Sequence, residues 1–204
     1  YTFAHAYYAA SFDKGGKTNY LEKITKAFIH GREVIASANG RSLNFDEKTK
    51  LLSNRDIIVT NWEKVIAEAV FKYAGSVYKD MGKLEDDASD KNFSNYAKHW
   101  GELKGFALAL QCGKDNLGET AVKLNRMMGF GPVLMNASQV IGVDSSGNYI
   151  KDQAMEWDDY KLHMLKIQKL MIDQFGVEAK ANDQLADMSD LAAKLGSSDT
   201  AEND

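Results

Sequence analysis

Between Ile58 and Met81 an apolar side chain returns every three or four residues: Ile58, Trp62, Val65, Ile66, Ala69, Val70, Tyr73, Val77 and Met81. That period gathers them on one face of an α-helix, because 3.6 residues complete a turn. The spacing predicts a helix over 55–81, about 40 Å long at 1.5 Å per residue. A single amphipathic helix of this length has to bury its stripe against other long elements, which restricts the chain to a helical bundle. Nothing obliges it to kink, since the only proline is Pro132.

The rest of the sequence supplies the partners. Residues 2–12 are rich in alanine and aromatics (Phe3, His5, Tyr7, Tyr8, Phe12) and read as the end of a helix. A turn at 13–17 separates them from a helix in which Asn19 caps the start, Glu22 sits in capping-box position and Gly40 follows the end. Another helix is expected to begin at Asp46 or Glu47, after Asn44. The acidic run 85–90 reads as a solvated loop, without the fixed ligand spacing of a calcium site. Residues 92–111 carry an apolar face (Phe93, Tyr96, Trp100, Leu103, Ala107, Leu110). Beside that face Ala97, Gly101, Gly105 and Ala109 recur every four residues, which predicts close approach of another backbone. Further helices are expected over 117–128, 157–175 and, more weakly, 185–195. Val140–Val143 and Asn148–Ile150, around the turn 144–147, read as a hairpin. Asp144, Ser146 and Asn148 alternate like the first ligands of a calcium loop, but Tyr149 stands where the loop glycine belongs and Met155 where its last glutamate belongs.

The expected architecture is all-α: an up-and-down helical bundle with one short β-hairpin insertion. It covers residues 1–195, with 196–204 a disordered acidic tail. Because the chain starts at Tyr1, it is also expected to be the C-terminal part of a longer protein, one half of a two-bundle structure.

Composition narrows the function classes. Apolar residues make up 44% of 204 and charged residues 26%, with a formal net charge of −4. No basic stripe interleaved with aromatics appears, which argues against nucleic acid as a partner. No apolar run approaches the roughly 20 residues of a membrane-spanning helix. Cys112, the one cysteine, cannot form an internal disulfide and is expected to be a small buried side chain. No nucleophile elbow, phosphate-binding glycine loop or dinucleotide fingerprint is present.

The candidate site lies in Lys98-His99-Trp100-Gly101-Glu102. Residues three apart on a helix have Cβ atoms roughly 5–6 Å apart, so His99 and Glu102 can present an imidazole and a carboxylate to one point. Zinc and iron accept such donors. Trp100 and Phe106 are expected to wall the site. Two donors are too few for a protein metal centre, so a third must come from elsewhere: His5, His30, His163, Glu63, Glu68 or an aspartate. The competing reading is a His99–Glu102 hydrogen bond that satisfies a half-buried histidine. His163 with Met164 could hold copper, although methionines among long helices more often fill the core.

Two segments, Asn61-Trp62-Glu63-Lys64-Val65-Ile66-Ala67-Glu68 and Lys98-His99-Trp100-Gly101-Glu102-Leu103-Lys104-Gly105-Phe106-Ala107-Leu108, resemble an uncharacterised family of exported bacterial helical proteins, often lipoproteins. That family is similar to imelysin-like proteins, helical-bundle proteins of the bacterial envelope linked to iron uptake, whose motif is Gly-x-His-x-x-Glu. His99 and Glu102 match it, and Ala97 stands in the glycine's place. The resemblance implies a periplasmic or outer-membrane-anchored protein. It implies a non-enzymatic role in metal acquisition, with iron or zinc on His99 and Glu102. Its implied partners are an N-terminal part of the same protein and another envelope protein. The alternatives are an interaction module with no metal site and an imelysin-like metallopeptidase.

Overall fold

The computed structural model describes residues 2–113, 117–153 and 155–200. Tyr1, the last four residues of the expected tail and the side chain of Phe3 fall outside that description. Seven α-helices and one antiparallel hairpin follow in chain order: α1 (Thr2–Asp13), α2 (Tyr20–Ala38), α3 (Phe45–Asp86), α4 (Asp90–Gln111), α5 (Glu119–Met128), β1 (Ser138–Val143), β2 (Tyr149–Gln153), α6 (Trp157–Phe175) and α7 (Met188–Leu195). A 3₁₀ turn, Leu185–Asp187, leads into α7. The all-α bundle with its hairpin insertion is the observed architecture.

The spine is α3, whose 42 residues extend about 63 Å. The helix expected to begin at Asp46 or Glu47 and the apolar stripe over 55–81 belong to one continuous element. Its start is fixed as the sequence implies: Asn44 accepts from the Glu47 amide, and the Glu47 carboxylate accepts from the Asn44 amide, both at 2.9 Å. The acidic run forms the solvated connection in its middle, residues 87–89, and its ends belong to the flanking helices. The helix continues to Asp86 and α4 begins at Asp90. The start of α2 departs from expectation too. Asn19 makes no side-chain cap; instead Asp13, at the end of α1, accepts from the amides of Tyr20 and Leu21 at 2.8 and 2.9 Å. A carboxylate at a helix N-terminus satisfies orphan donors and suits the helix dipole.

Around α3 pack α2, α4 and α6, and α5 and α7 pack on α6. The core is built from the second half of α3. Val65, Val70, Phe71, Val77 and Met81 meet Leu103 and Leu110 of α4, Met127 and Met128 of α5, and Met164, Ile167 and Met171 of α6. Met164 thus fills the core, while His163 Nδ1 faces the Met127 carbonyl at 3.3 Å. No residue of α3 before Val65 is buried. The first half of α3 and most of α2 therefore form a two-helix arm standing out from the bundle.

The α3–α6 seam is polar where the segment after α6 crosses it. Gln168 donates to the carbonyls of Phe71 and Asn182, both at 2.9 Å, and accepts from the Gln184 amide at 3.0 Å. Gly75 lies beneath that crossing. A Cβ there would collide with the Asn182 carbonyl oxygen and the Gln168 amide.

Two outcomes are expected. Gly75→Ala should destabilise the fold by about 1–3 kcal/mol in denaturant unfolding through overpacking. Gly101→Ala, where a Cβ meets nothing within 4 Å, should stabilise it by roughly 1 kcal/mol, the helix-propensity difference. At the arm's tip, the Arg41 hydrogen bond and then the Asn44 amide lower the Glu47 carboxyl from 4.5 to about 2. The group favours folding above its ordinary value, and that contribution fades as pH falls from 4.5 towards about 2. Protection of the Glu47 amide from exchange, relative to its intrinsic rate, should fall over that window, and Arg41→Ala should move the carboxyl titration, followed by NMR, upward.

Candidate functional site

Tyr96, Leu103, Ala107 and Leu110 are the buried residues of α4 and hold it along the second half of α3. This packing leaves His99 and Glu102 half-buried at the edge of the core. The imidazole is not bonded to the carboxylate three residues on. His99 Nδ1 lies 2.5 Å from Oδ2 of Asp80 on α3, whose side chain is only 2% exposed. The other Asp80 oxygen accepts from Lys83 Nζ at 2.7 Å. A carboxylate accepts hydrogen bonds, so Nδ1 carries the proton and donates it. No described residue bonds to Nε2. The ring of Tyr73, 6.0 Å from the imidazole, flanks the pair.

Glu102 is among the residues lining a different feature, a cleft of about 340 Å³ bounded by α1, α3 and α4. Tyr8 and Phe106 form an aromatic wall, in edge contact at 5.0 Å, and Phe106 stacks on Tyr73 at 5.6 Å. The Tyr8 and Tyr73 hydroxyls share a 2.7 Å hydrogen bond. Burial first, then that bond and the neighbouring charges, Glu102 among them, push the Tyr73 phenol well above its ordinary value. Val65 and Ile66 line the α3 side and Gly105 and Ala109 the α4 side. Glu102 makes no hydrogen bond or ion pair with any described residue, and among the described residues it is the only carboxylate lining the cleft.

The small-residue stripe of α4 therefore acts otherwise than its spacing predicts. Gly101, Gly105 and Ala109 are exposed, and no backbone comes close to either glycine. At Gly105 and Ala109 the missing bulk leaves room for the cleft. Trp100 also departs from its expected place. Its indole donates to the Tyr160 hydroxyl at 2.7 Å, and that hydroxyl donates to the Met128 carbonyl at 2.8 Å, which ties the ring to α5 and α6. Phe106 does line the cleft.

The expected third donors are scattered. His5 shares the cleft with Glu102 and packs its ring 5.5 Å from Trp62. His30 lies on the arm beside Lys50. Glu63 lines a separate hollow with Thr120 and Gln174. Glu68 is fully buried and committed to hydrogen bonds. Among the described residues no group of three or more His, Cys, Asp or Glu side chains gathers where an ion could sit. The Asp144 turn closes on itself, its carboxylate accepting from the Ser146 and Asn148 amides at 2.8 and 2.9 Å. Cys112 is exposed, not buried as expected, because it stands at the α4 C-cap.

Asp80 is the residue of the candidate site that sequence reasoning missed. A signal existed: Tyr73, Val77, Asp80 and Leu84 continue the three-and-four spacing of the α3 core face, and an acid on such a face needs a partner.

Comparisons with protein-family models, with curated proteins and with solved structures returned no match.

Replacing Asp80 by alanine should cost about 2 kcal/mol of stability, the scale of a hydrogen bond to a charged group. Long-range ¹H–¹⁵N spectra should show the neutral His99 ring protonated at Nδ1 in the wild type and shifted towards the Nε2-protonated form in Asp80→Ala.

Proposed function

We propose that the chain is a non-enzymatic binding module whose cleft between α1, α3 and α4 takes a compact molecule with an apolar or aromatic body and one cationic group. The observation that carries this reading is Glu102, a half-buried carboxylate without a hydrogen-bonding partner among the described residues, at an otherwise mostly apolar cleft. Small-molecule sites are concave, mostly apolar and oriented by a few polar groups, with volumes of roughly 300–1,000 Å³. This cleft stands at the lower end of that range. A carboxylate edged by aromatic rings favours an ammonium or amidinium group, whose charge gains from both.

A second reading is favoured by the Asp80–His99 contact. A histidine held at Nδ1 by a carboxylate offers Nε2 in a fixed direction, the arrangement that supports imidazole ligands of metals. On this reading His99 and Glu102 are the donors for iron or zinc. The envelope location and the role in iron acquisition implied by the resemblance belong to it. His5, which lines the same cleft as Glu102, is a candidate for a third donor. A metallopeptidase would need that donor and an open coordination position as well.

One set of variants separates the readings. Benzylammonium, titrated into the wild type, should give saturable NMR shifts at Tyr8 and Phe106, and neutral benzyl alcohol should bind about tenfold more weakly. Glu102→Gln should remove that preference and His99→Ala should keep it. Calorimetric titration with Zn²⁺ or Fe²⁺ should give heats that either substitution abolishes if the metal reading is right. Shifts that never saturate would sink the cleft reading, and negligible heats in the wild type would remove the metal.

A further inference from the structure

Asn39-Gly40 is the single Asn-Gly pair in the chain, and it stands where α2 ends, at the tip of the arm. Asn39 is the C-cap of α2, in the left-handed region at φ 46° and ψ 46°. Gly40 follows at φ 81°. Asparagine and glycine accept this conformation at least cost. Both residues are exposed. Two hydrogen bonds hold the turn: the Asn39 amide donates to the Ala36 carbonyl at 3.1 Å, and the Arg41 amide donates to the Ala38 carbonyl at 3.0 Å. Between them the Gly40 amide has no acceptor among the described residues, and the Asn39 carboxamide has no partner there. A Cβ at Gly40 would meet nothing within 4 Å, so the space around its nitrogen is open. An unbonded, unhindered backbone nitrogen thus follows directly on an unbonded carboxamide, the two groups that a succinimide ring joins.

We propose that Asn39 is a site of spontaneous covalent modification, converted through a succinimide to aspartate and isoaspartate. The Gly40 nitrogen gives up its proton to hydroxide and attacks Cγ of Asn39. The N–Cγ bond forms, the Cγ–Nδ2 bond breaks, and Nδ2 leaves as ammonia with a proton taken from water. Water then opens the ring. Cleavage at Cγ leaves aspartate, and cleavage at the backbone carbonyl leaves isoaspartate, whose main chain runs through the former side chain. The observed ψ does not bring nitrogen and Cγ together, so reaction requires the turn to open. A helix end in water, held by two hydrogen bonds, belongs to the low-stability end of local opening. Glycine, lacking Cβ, leaves the peptide free to rotate into the attacking position. The product adds one negative charge to a net charge of −4 and puts it at the C-terminus of α2, where the helix dipole disfavours an anion. The isoaspartyl form also lengthens the main chain between the two hydrogen bonds of the turn. The arm's tip therefore changes with age, independently of Glu102 and His99 and of either ligand reading.

Peptide mapping by mass spectrometry tests this on the folded protein, held at mildly alkaline pH beside a urea-unfolded reference. Asn39 should show the mass gain of an amide-to-acid exchange ahead of every other asparagine, including the exposed Asn136 and Asn148, with isoaspartate in excess of aspartate. Gly40→Ala should slow the conversion about tenfold, because a Cβ hinders both the nitrogen and the rotation. An Asn39 still intact in the folded sample when the unfolded reference has fully converted would overturn the proposal. So would another asparagine converting first, or a product free of isoaspartate, which only ring opening can form. The positive φ at Gly40 strains an alanine there. If that variant loses its helical circular dichroism, the isoaspartate content of the wild-type product decides the matter.

Discussion

A carboxylate removed from water needs donors supplied by the protein, and at the centre of this fold Glu68 of α3 receives four. Its Oε1 accepts from the Tyr20 hydroxyl at 3.1 Å and from the amides of Glu178 and Ala179 at 2.6 and 2.7 Å, and Oε2 accepts from the Lys180 amide at 3.1 Å. One buried side chain thus joins the start of α2, the middle of α3 and the segment after α6. The bonds are reciprocal in effect. Without the carboxylate three backbone amides would be left without their acceptor, at about 1–3 kcal/mol for each such group that stays buried. The segment so held bends through left-handed conformations at Lys180 and Asn182, which ordinary residues adopt only where their surroundings fix them. Gln168 and Gly75 complete the crossing, one by bonding to it and the other by making room.

That anchoring gives the candidate site its rigidity. With α3 held from the α6 side, its opposite face is a fixed wall for α1 and α4. Asp80 on that wall sets the His99 ring through Nδ1, and Tyr73 supports both the imidazole and the aromatic lining of the cleft. The cleft exists because α4 carries glycine and alanine where it could have carried larger side chains. The same choice weakens the helix locally, by roughly 1 kcal/mol per interior glycine.

The helices were legible to the extent that their period is regular. α3, α4 and α6 stand close to where spacing puts them, and the Asn44–Glu47 box marks the start of α3. Other features were hidden because they depend on distant chain. Asp13 displaces Asn19 as the cap of α2 because the turn 14–19 folds α1 back against it. Regularity also misled at the α4 stripe, since four-residue spacing describes a smooth surface without saying whether anything lies on it. His99 and Glu102 were singled out by type and spacing. Their separate partners, Asp80 for one and an apolar cleft for the other, were not.

The sequence by itself determined that this protein is a bundle of long helices with a single hairpin, because hydrophobic period, capping residues and the scarcity of proline act within a few turns of chain. Only the tertiary structure decided which carboxylate meets which donor and which small residues border a space. Those outcomes depend on side chains brought together from positions 19 to 112 residues apart, and local spacing carries no information about such approaches.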